Sequence, residues 1–140
     1  MKTVLLAAAA MLAAAGPATA GEATLKLRFQ GLETPKGALM VALFDEAGYA
    51  KGRTPVGAAT APVGGVAVET TLSGLAPGRY GLRVFHDVNG DGKMNTNPLG
   101  IPTEPVAFSN DAPMRFGPAK WADAAFEVRP GDNLHVVTIR

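Results

Sequence analysis

The chain has 140 residues, no cysteine, and 13 lysines and arginines against 12 aspartates and glutamates. The missing cysteine excludes disulfides, thiolate metal sites and thiol catalysis. The nearly balanced charge provides no basic surface for nucleic acid or anionic lipid, so we expect no nucleic-acid binding.

The first 20 residues have the pattern of a cleaved export signal. Lys2 supplies a positive start, an apolar run of about twelve residues covers 4–15, and Ala18-Thr19-Ala20 has the small residues that signal peptidase requires. The run is short of the roughly 20 residues of a membrane-spanning helix, and no second run follows. We therefore expect a signal peptide at 1–20 and a single periplasmic or secreted domain at 21–140, with no membrane span.

After the export signal, short stretches with a period of two dominate the sequence. In the first, Leu25, Leu27 and Phe29 alternate with polar residues, which indicates a strand with one buried face. Six further strands are predicted, in chain order, at residues 38–45, 56–63, 66–72, 79–86, 126–128 and 134–139. This spacing favours an all-β fold, an antiparallel β-sandwich of about seven strands, immunoglobulin-like or prealbumin-like, with one long loop. We expect at most one short helical turn, within 118–125.

The turn before the fifth predicted strand has an architectural pattern. Pro77 and Gly78 form a tight turn, and Tyr80 begins the next strand. At sandwich corners such a tyrosine bonds its hydroxyl to nearby backbone, and we expect the same contact here.

The long connection after the fifth strand begins with a pattern typical of calcium loops. Oxygen-bearing side chains recur at every second position, interrupted at one lysine, with glycines between them. Five positions match the ligands of a twelve-residue calcium loop, the fourth of them through a backbone carbonyl oxygen: Asp87, Asn89, Asp91, Lys93 and Asn95. The sequence therefore predicts calcium as a weakly bound cofactor.

The low calcium affinity is predicted from the last position of the loop. The last position, which normally carries a bidentate glutamate, is Pro98. With two carboxylates we expect a dissociation constant on the order of 10⁻⁴ to 10⁻³ M, and Glu104 is the nearest distant residue that could add a third. The alternative is a metal-free turn in which the Asp and Asn side chains bond to nearby backbone amides. The sequence leaves both open.

The histidines and serines form no catalytic pattern. His86 and His135 are interpreted as strand residues, and neither Ser73 nor Ser109 lies in a Gly-x-Ser-x-Gly turn. We therefore expect no enzymatic activity. A hydrolase is the remote alternative, and it would require His86 beside Ser109 or Asp87.

The later part of the long connection, residues 101–121, is the second candidate binding surface. Three of its apolar residues are expected to cover part of the core: Ile101, Val106 and Phe108. Phe116 and Trp121 are the candidate aromatic anchors of a binding groove.

These motifs, in this order and spacing, resemble those of a family of exported bacterial proteins catalogued as domain of unknown function 2141. The resemblance spans about residues 25–139 and rests on four segments: Gly74–Tyr80, His86–Lys93, Gly100–Glu104 and Phe108–Asn110. It implies export, a single domain and an all-β fold, but no activity.

A looser likeness, carried by the turn before Tyr80, extends to transthyretin-like and carboxypeptidase-regulatory-like sandwiches. The hydrolytic transthyretin relatives end in Tyr-Arg-Gly-Ser, whereas this chain ends in Val137–Arg140, so that activity is not expected here.

Together these features predict an exported, non-catalytic β-sandwich, a binding or structural module of the cell envelope that calcium stabilises. The alternative is a metal-free adhesion or envelope-assembly module that binds an unidentified protein or envelope component through residues 101–121.

Overall fold

Two β-sheets face each other across an apolar core in the computed structural model, which describes residues 21–140. The predicted export signal lies outside the described residues. Eight strands occur in the described part: β1 (Ala23–Gln30), β2 (Ala38–Phe44), β3 (Gly57–Pro62), β4 (Ala67–Leu75), β5 (Gly78–Asp87), β6 (Val106–Phe108), β7 (Phe126–Val128) and β8 (Gly131–Thr138). The predicted all-β, sandwich-like fold is confirmed. None of the helices in residues 21–140 has the length and apolar character needed to cross a membrane.

The smaller sheet has the strand order β4-β1-β8, and the larger has the order β3-β2-β5-β6, with β7 paired to the start of β5. Strand β1 is antiparallel to β4 but parallel to β8 along its whole length. This parallel pair corrects the expectation of a wholly antiparallel sandwich. The alternation of apolar residues has the same period in both kinds of pairing, so it does not determine strand direction.

Burial follows the alternation that the sequence predicts. In β1, Leu25, Leu27 and Phe29 are at most 1% exposed, while the residues between them face solvent. The neighbouring sheet contributes the alternate residues of β2 and β5, including Leu39, Leu43 and Leu82. Burial of large apolar side chains is worth about 1.5–3 kcal/mol each, so these inner faces provide the main stabilisation of the fold.

The structure contains two short helices, α1 (Glu46–Lys51) and α2 (Trp121–Ala124), and a 3₁₀ turn at Ser109–Asp111. Helix α2 lies in the window predicted for a helical turn, but α1 corrects the expectation of at most one. The carboxylate of Asp45 accepts the N–H of Gly48 at 2.8 Å, and Gly52 ends the helix with φ of +67°. Aspartate before a helix and glycine after it are standard end signals, so the sequence did carry the information.

Strand β5 positions both the turn at Tyr80 and the candidate calcium loop, because it is the longest strand described and lies inside the larger sheet. At its start, the hydroxyl of Tyr80 donates to the carbonyl oxygen of Ala76, which confirms the predicted corner contact. At its end, Asp87 leads directly into the long connection toward β6.

Candidate metal centre

Asp87 is the buried anchor of the loop. It is the last residue of β5 and is only 3% exposed. Its carboxylate accepts the N–H groups of Gly90 at 3.1 Å and Gly92 at 2.7 Å, so the chain curls around it. Gly92 has φ of +75° with open space where a side chain would be. Glycine is therefore favoured here by backbone conformation and not by crowding.

Asp91 lies on the exposed side of the same loop. Its carboxylate accepts the side-chain N–H of Asn95 at 2.9 Å and the backbone N–H of Lys93 at 2.9 Å. These hydrogen bonds, that of Asn95 first, hold the pKa of Asp91 below its ordinary value. Asp91 is therefore ionised at neutral pH.

Glu104 supplies the third carboxylate. One of its oxygens accepts the N–H of Val88 at 2.8 Å, and the other lies 3.5 Å from the N–H of Asn95. Carboxylate oxygens of Asp87, Asp91 and Glu104 all lie within 4.8 Å of one another. Within residues 21–140 none of the three forms a salt bridge, since the ion pairs found there join other residues. Negative charge therefore converges at this point, and in the described part of the chain no cationic side chain is paired with it.

A narrow turn brings Glu104 to the loop. The carbonyl oxygen of Asn95 accepts both the backbone N–H and the hydroxyl of Thr103, at 2.9 and 3.1 Å. At the tip, the side chain of Asn97 accepts the N–H groups of Leu99 and Ile101, at 2.9 and 3.0 Å. These contacts fold residues 95–103 back on themselves, so Glu104 lies beside Asp87 and Asp91.

The two asparagines of the predicted ligand set also lie at the cluster, where their side chains hydrogen-bond within the loop. The side-chain oxygen of Asn89 accepts the N–H of Asp91 at 3.2 Å, and its amide donates to the side-chain oxygen of Asn95 at 3.1 Å. Lys93 contributes its backbone N–H to Asp91, as described above, and its side chain is exposed. The arrangement contains the oxygen atoms of a hard-cation site, and metal binding itself stays a prediction.

His86 is separate from this cluster. It is 1% exposed, and its Nε2 donates to the carbonyl oxygen of Lys36 at 2.7 Å. Ser109 is fully buried and accepts the N–H of Leu82 at 2.9 Å while donating to the carbonyl oxygen of Ala124 at 2.5 Å. Both residues therefore make structural hydrogen bonds to the backbone.

His135 packs in β8, as the sequence indicated. Its ring stacks on Phe126 with centroids 4.1 Å apart, and its Nε2 accepts the N–H of Asn110 at 3.1 Å. Burial lowers the pKa of His135, partly opposed by Asp111.

The second predicted surface, residues 101–121, is only partly exposed. Phe108 is buried and Val106 is half-buried, as expected for core cover, but Ile101 is 53% exposed, which corrects that expectation. Phe116 is fully exposed, whereas Trp121 packs against Tyr49 with ring centroids 5.6 Å apart.

Comparison with known proteins identifies the family but no activity. The model of a family described as "Uncharacterized protein conserved in bacteria (DUF2141)" matches residues 27–136. No curated protein and no solved structure matches the chain. The match covers most of the sequence, and the chain belongs to this family.

Proposed function

We propose that this member of the DUF2141 family is an exported, non-catalytic module of the bacterial cell envelope whose loop at residues 87–104 binds calcium. The observation that carries the proposal is the convergence of Asp87, Asp91 and Glu104 without a cationic partner among residues 21–140. A divalent cation would balance this charge and fix the long connection to the end of β5.

The donor set favours a hard cation. Every available ligand is an oxygen, from three carboxylates, two amide side chains and the backbone, and calcium takes six to eight such ligands. The amides of Asn89 and Asn95 now direct N–H groups at oxygen atoms. To ligate the ion, the exposed Asn89 and the half-buried Asn95 would turn their side-chain oxygens inward. We expect an affinity on the order of 10⁻⁴ to 10⁻³ M, as in extracellular modules.

A structural role for the metal is supported by the state of the reactive side chains. The hydroxyl of Ser109 is buried and bonded to backbone, and His86 bonds to a backbone carbonyl. A catalytic base must reach the proton that it abstracts, and these hydrogen bonds hold both side chains in structural positions.

Trypsin digestion tests the proposal, because Lys93 lies inside the loop and is exposed. At about 10 mM calcium, occupancy of a millimolar site should slow cleavage after Lys93 about tenfold relative to chelator. Exposed Lys51 and Arg53, at the end of α1, are internal controls for any effect of calcium on the protease. Asp91→Asn should abolish the protection, and Asp132→Asn, an exposed carboxylate elsewhere, should preserve it. Equal cleavage after Lys93 with calcium and with chelator would refute calcium binding.

The second candidate function is a metal-free adhesion or envelope-assembly module. It is favoured by the apolar side chains exposed on the long connection, of which Leu99 is 83%, Ile101 53% and Phe116 fully exposed. In that case an envelope fraction, and not calcium, should protect the tryptic site after Arg115, and Phe116→Ser should remove this protection. An unchanged cleavage rate after Arg115 would dismiss this function.

A further inference from the structure

An apolar groove of about 780 Å³ lies on the outer face of the larger sheet. In β2 and β5 the core side chains alternate with those of Met40, Phe44 and Phe85, which therefore project to the opposite face. Met94, between β5 and β6, and Met114, between β6 and α2, also line the groove and are 44% and 45% exposed. Its volume is in the range typical of sites for small ligands.

Arg83 is the single charged residue among the described residues that line this groove. Its guanidinium lies 4.3 Å from the ring centroid of Tyr49 and 5.5 Å from that of Phe44. Its Nη2 donates to the carbonyl oxygen of Tyr49 at 2.6 Å. No carboxylate in residues 21–140 forms a salt bridge with it.

The Nε atom of Arg83 is buried and has no hydrogen-bond acceptor within the described part of the chain. Leaving a charged donor without an acceptor in apolar surroundings is costly, and such groups in proteins are normally paired. The planar guanidinium can pair with a carboxylate through two parallel hydrogen bonds. The positive charge of Arg83, beside a groove whose other lining residues are uncharged and mostly apolar, therefore favours a ligand with one negative group and a hydrocarbon body.

We propose that the groove binds a small amphipathic carboxylate, such as a medium-chain fatty acid. The carboxylate pairs with Arg83, and the hydrocarbon lies over Met40 and Phe85 with the flexible side chains of Met94 and Met114 closing around it. The carboxylate cluster is not part of this groove, although Met94 and Thr96 of the same loop line it, so the binding is measured without calcium. The ligand chemistry of the groove is also opposite in charge, so the two sites have distinct tests.

Calorimetric titration with decanoate, in the presence of chelator, measures this binding directly. Decanol and decyltrimethylammonium are the matched probes, with the same hydrocarbon and a neutral or positive head. Decanoate should bind one per chain, about tenfold or more tighter than decanol, and the cationic probe should bind most weakly. Equal affinity for decanoate and decanol would overturn the assignment.

Two variants separate the head from the body of the ligand. Arg83→Met should reduce decanoate affinity to that of decanol and leave decanol unchanged, whereas Arg79→Met, an exposed arginine on the same strand, should change neither. Phe85→Ala should weaken decanoate and decanol by the same factor, and it tests the groove if Arg83→Met disturbs α1. Unchanged decanoate binding in Arg83→Met, or unchanged binding of both probes in Phe85→Ala, would refute the site. Because chelator is present throughout, failure of the calcium proposal leaves these expectations intact.

Discussion

The two connections that flank β5 are closed by different chemistry. Before the strand, the Tyr80 hydroxyl donates to the carbonyl oxygen of Ala76, one neutral donor meeting one neutral acceptor. After the strand, carboxylates of Asp87, Asp91 and Glu104 converge within 4.8 Å and are met by neutral amide N–H groups. Both connections make hydrogen bonds, but only the second accumulates charge.

This difference separates an architectural turn from the candidate binding site. The turn at Tyr80 leaves no charge to balance. Each carboxylate can accept about four hydrogen bonds, which is more than the amide N–H groups around these three carboxylates donate. A cation would bind to the oxygen lone pairs that remain. If the comparison is correct, calcium affects the second connection and leaves the first unchanged.

The largest expected effect is the loss of calcium stabilisation in Glu104→Gln. At about 10 mM calcium, a site with the predicted affinity adds about 1.4–2.7 kcal/mol to the free energy of unfolding, or about 5–10 °C in melting temperature. Glutamine removes one charge and retains an oxygen for the N–H of Val88, so the stability in chelator should change little. The measurement is thermal unfolding with calcium and with chelator.

Glu33→Gln is the matched control, because Glu33 is an exposed glutamate outside the loop. It should keep the full calcium response. A response of equal size in Glu104→Gln and the parent protein would remove Glu104 from the site.

A smaller effect is expected at the other connection from Tyr80→Phe. Loss of the hydroxyl removes one hydrogen bond and costs about 0.5–1.5 kcal/mol, because the ring of Tyr80 remains packed and is only 7% exposed. Denaturant unfolding should show the same loss with calcium and with chelator. A loss that depends on calcium would mean that the two connections are coupled through β5.

The smallest effect is a pH dependence that belongs to neither connection. Burial lowers the pKa of His135 in the folded state, and a proton on Nε2 would break its contact with the N–H of Asn110. Below about pH 6.5, the unperturbed value, the unfolded state therefore binds the proton more readily, and stability falls as pH falls toward 5. His135→Gln should flatten the melting temperature over this range.

Asp91 should behave differently over the same pH range. The pKa of Asp91 lies below its ordinary value of 3.8, so its charge persists through pH 5, and its contribution to stability is lost only on stronger acidification. The calcium response should accordingly survive in His135→Gln. A calcium response that disappears together with the pH dependence of His135 would contradict this separation.

The parts of the account that the sequence predicts are those with a local pattern. Alternation placed β1 and β5 and their buried faces, and alternate oxygen-bearing residues indicated Asp87 and Asp91. The sequence offered Glu104 only as the nearest further carboxylate, because its approach depends on contacts within the turn at residues 95–103 that have no local sequence pattern. The parallel pairing of β1 with β8 could not be predicted either. These strands are distant in sequence, and the alternation of apolar residues is the same in parallel and antiparallel strands.

Arg83 illustrates a second limit of prediction from the sequence. In the sequence it is one polar residue on the outer face of a predicted strand, where an arginine is ordinarily solvated or paired. Its significance arises only because β2, α1 and the long connection surround it with mostly apolar groups, while no carboxylate of residues 21–140 forms a salt bridge with it. Whether a carboxylate lies near Arg83 depends on which segments meet in the folded structure, and the local sequence does not show it.

The most direct test of the central claim is a calcium titration of the purified protein, stripped with chelator and followed by melting temperature. The account predicts a saturable rise with an apparent dissociation constant on the order of 10⁻⁴ to 10⁻³ M, absent in Asp91→Ala. An unchanged melting temperature at about 10 mM calcium, or an equal rise in Asp91→Ala, would contradict it. The loop would then be a turn closed by its own side chains.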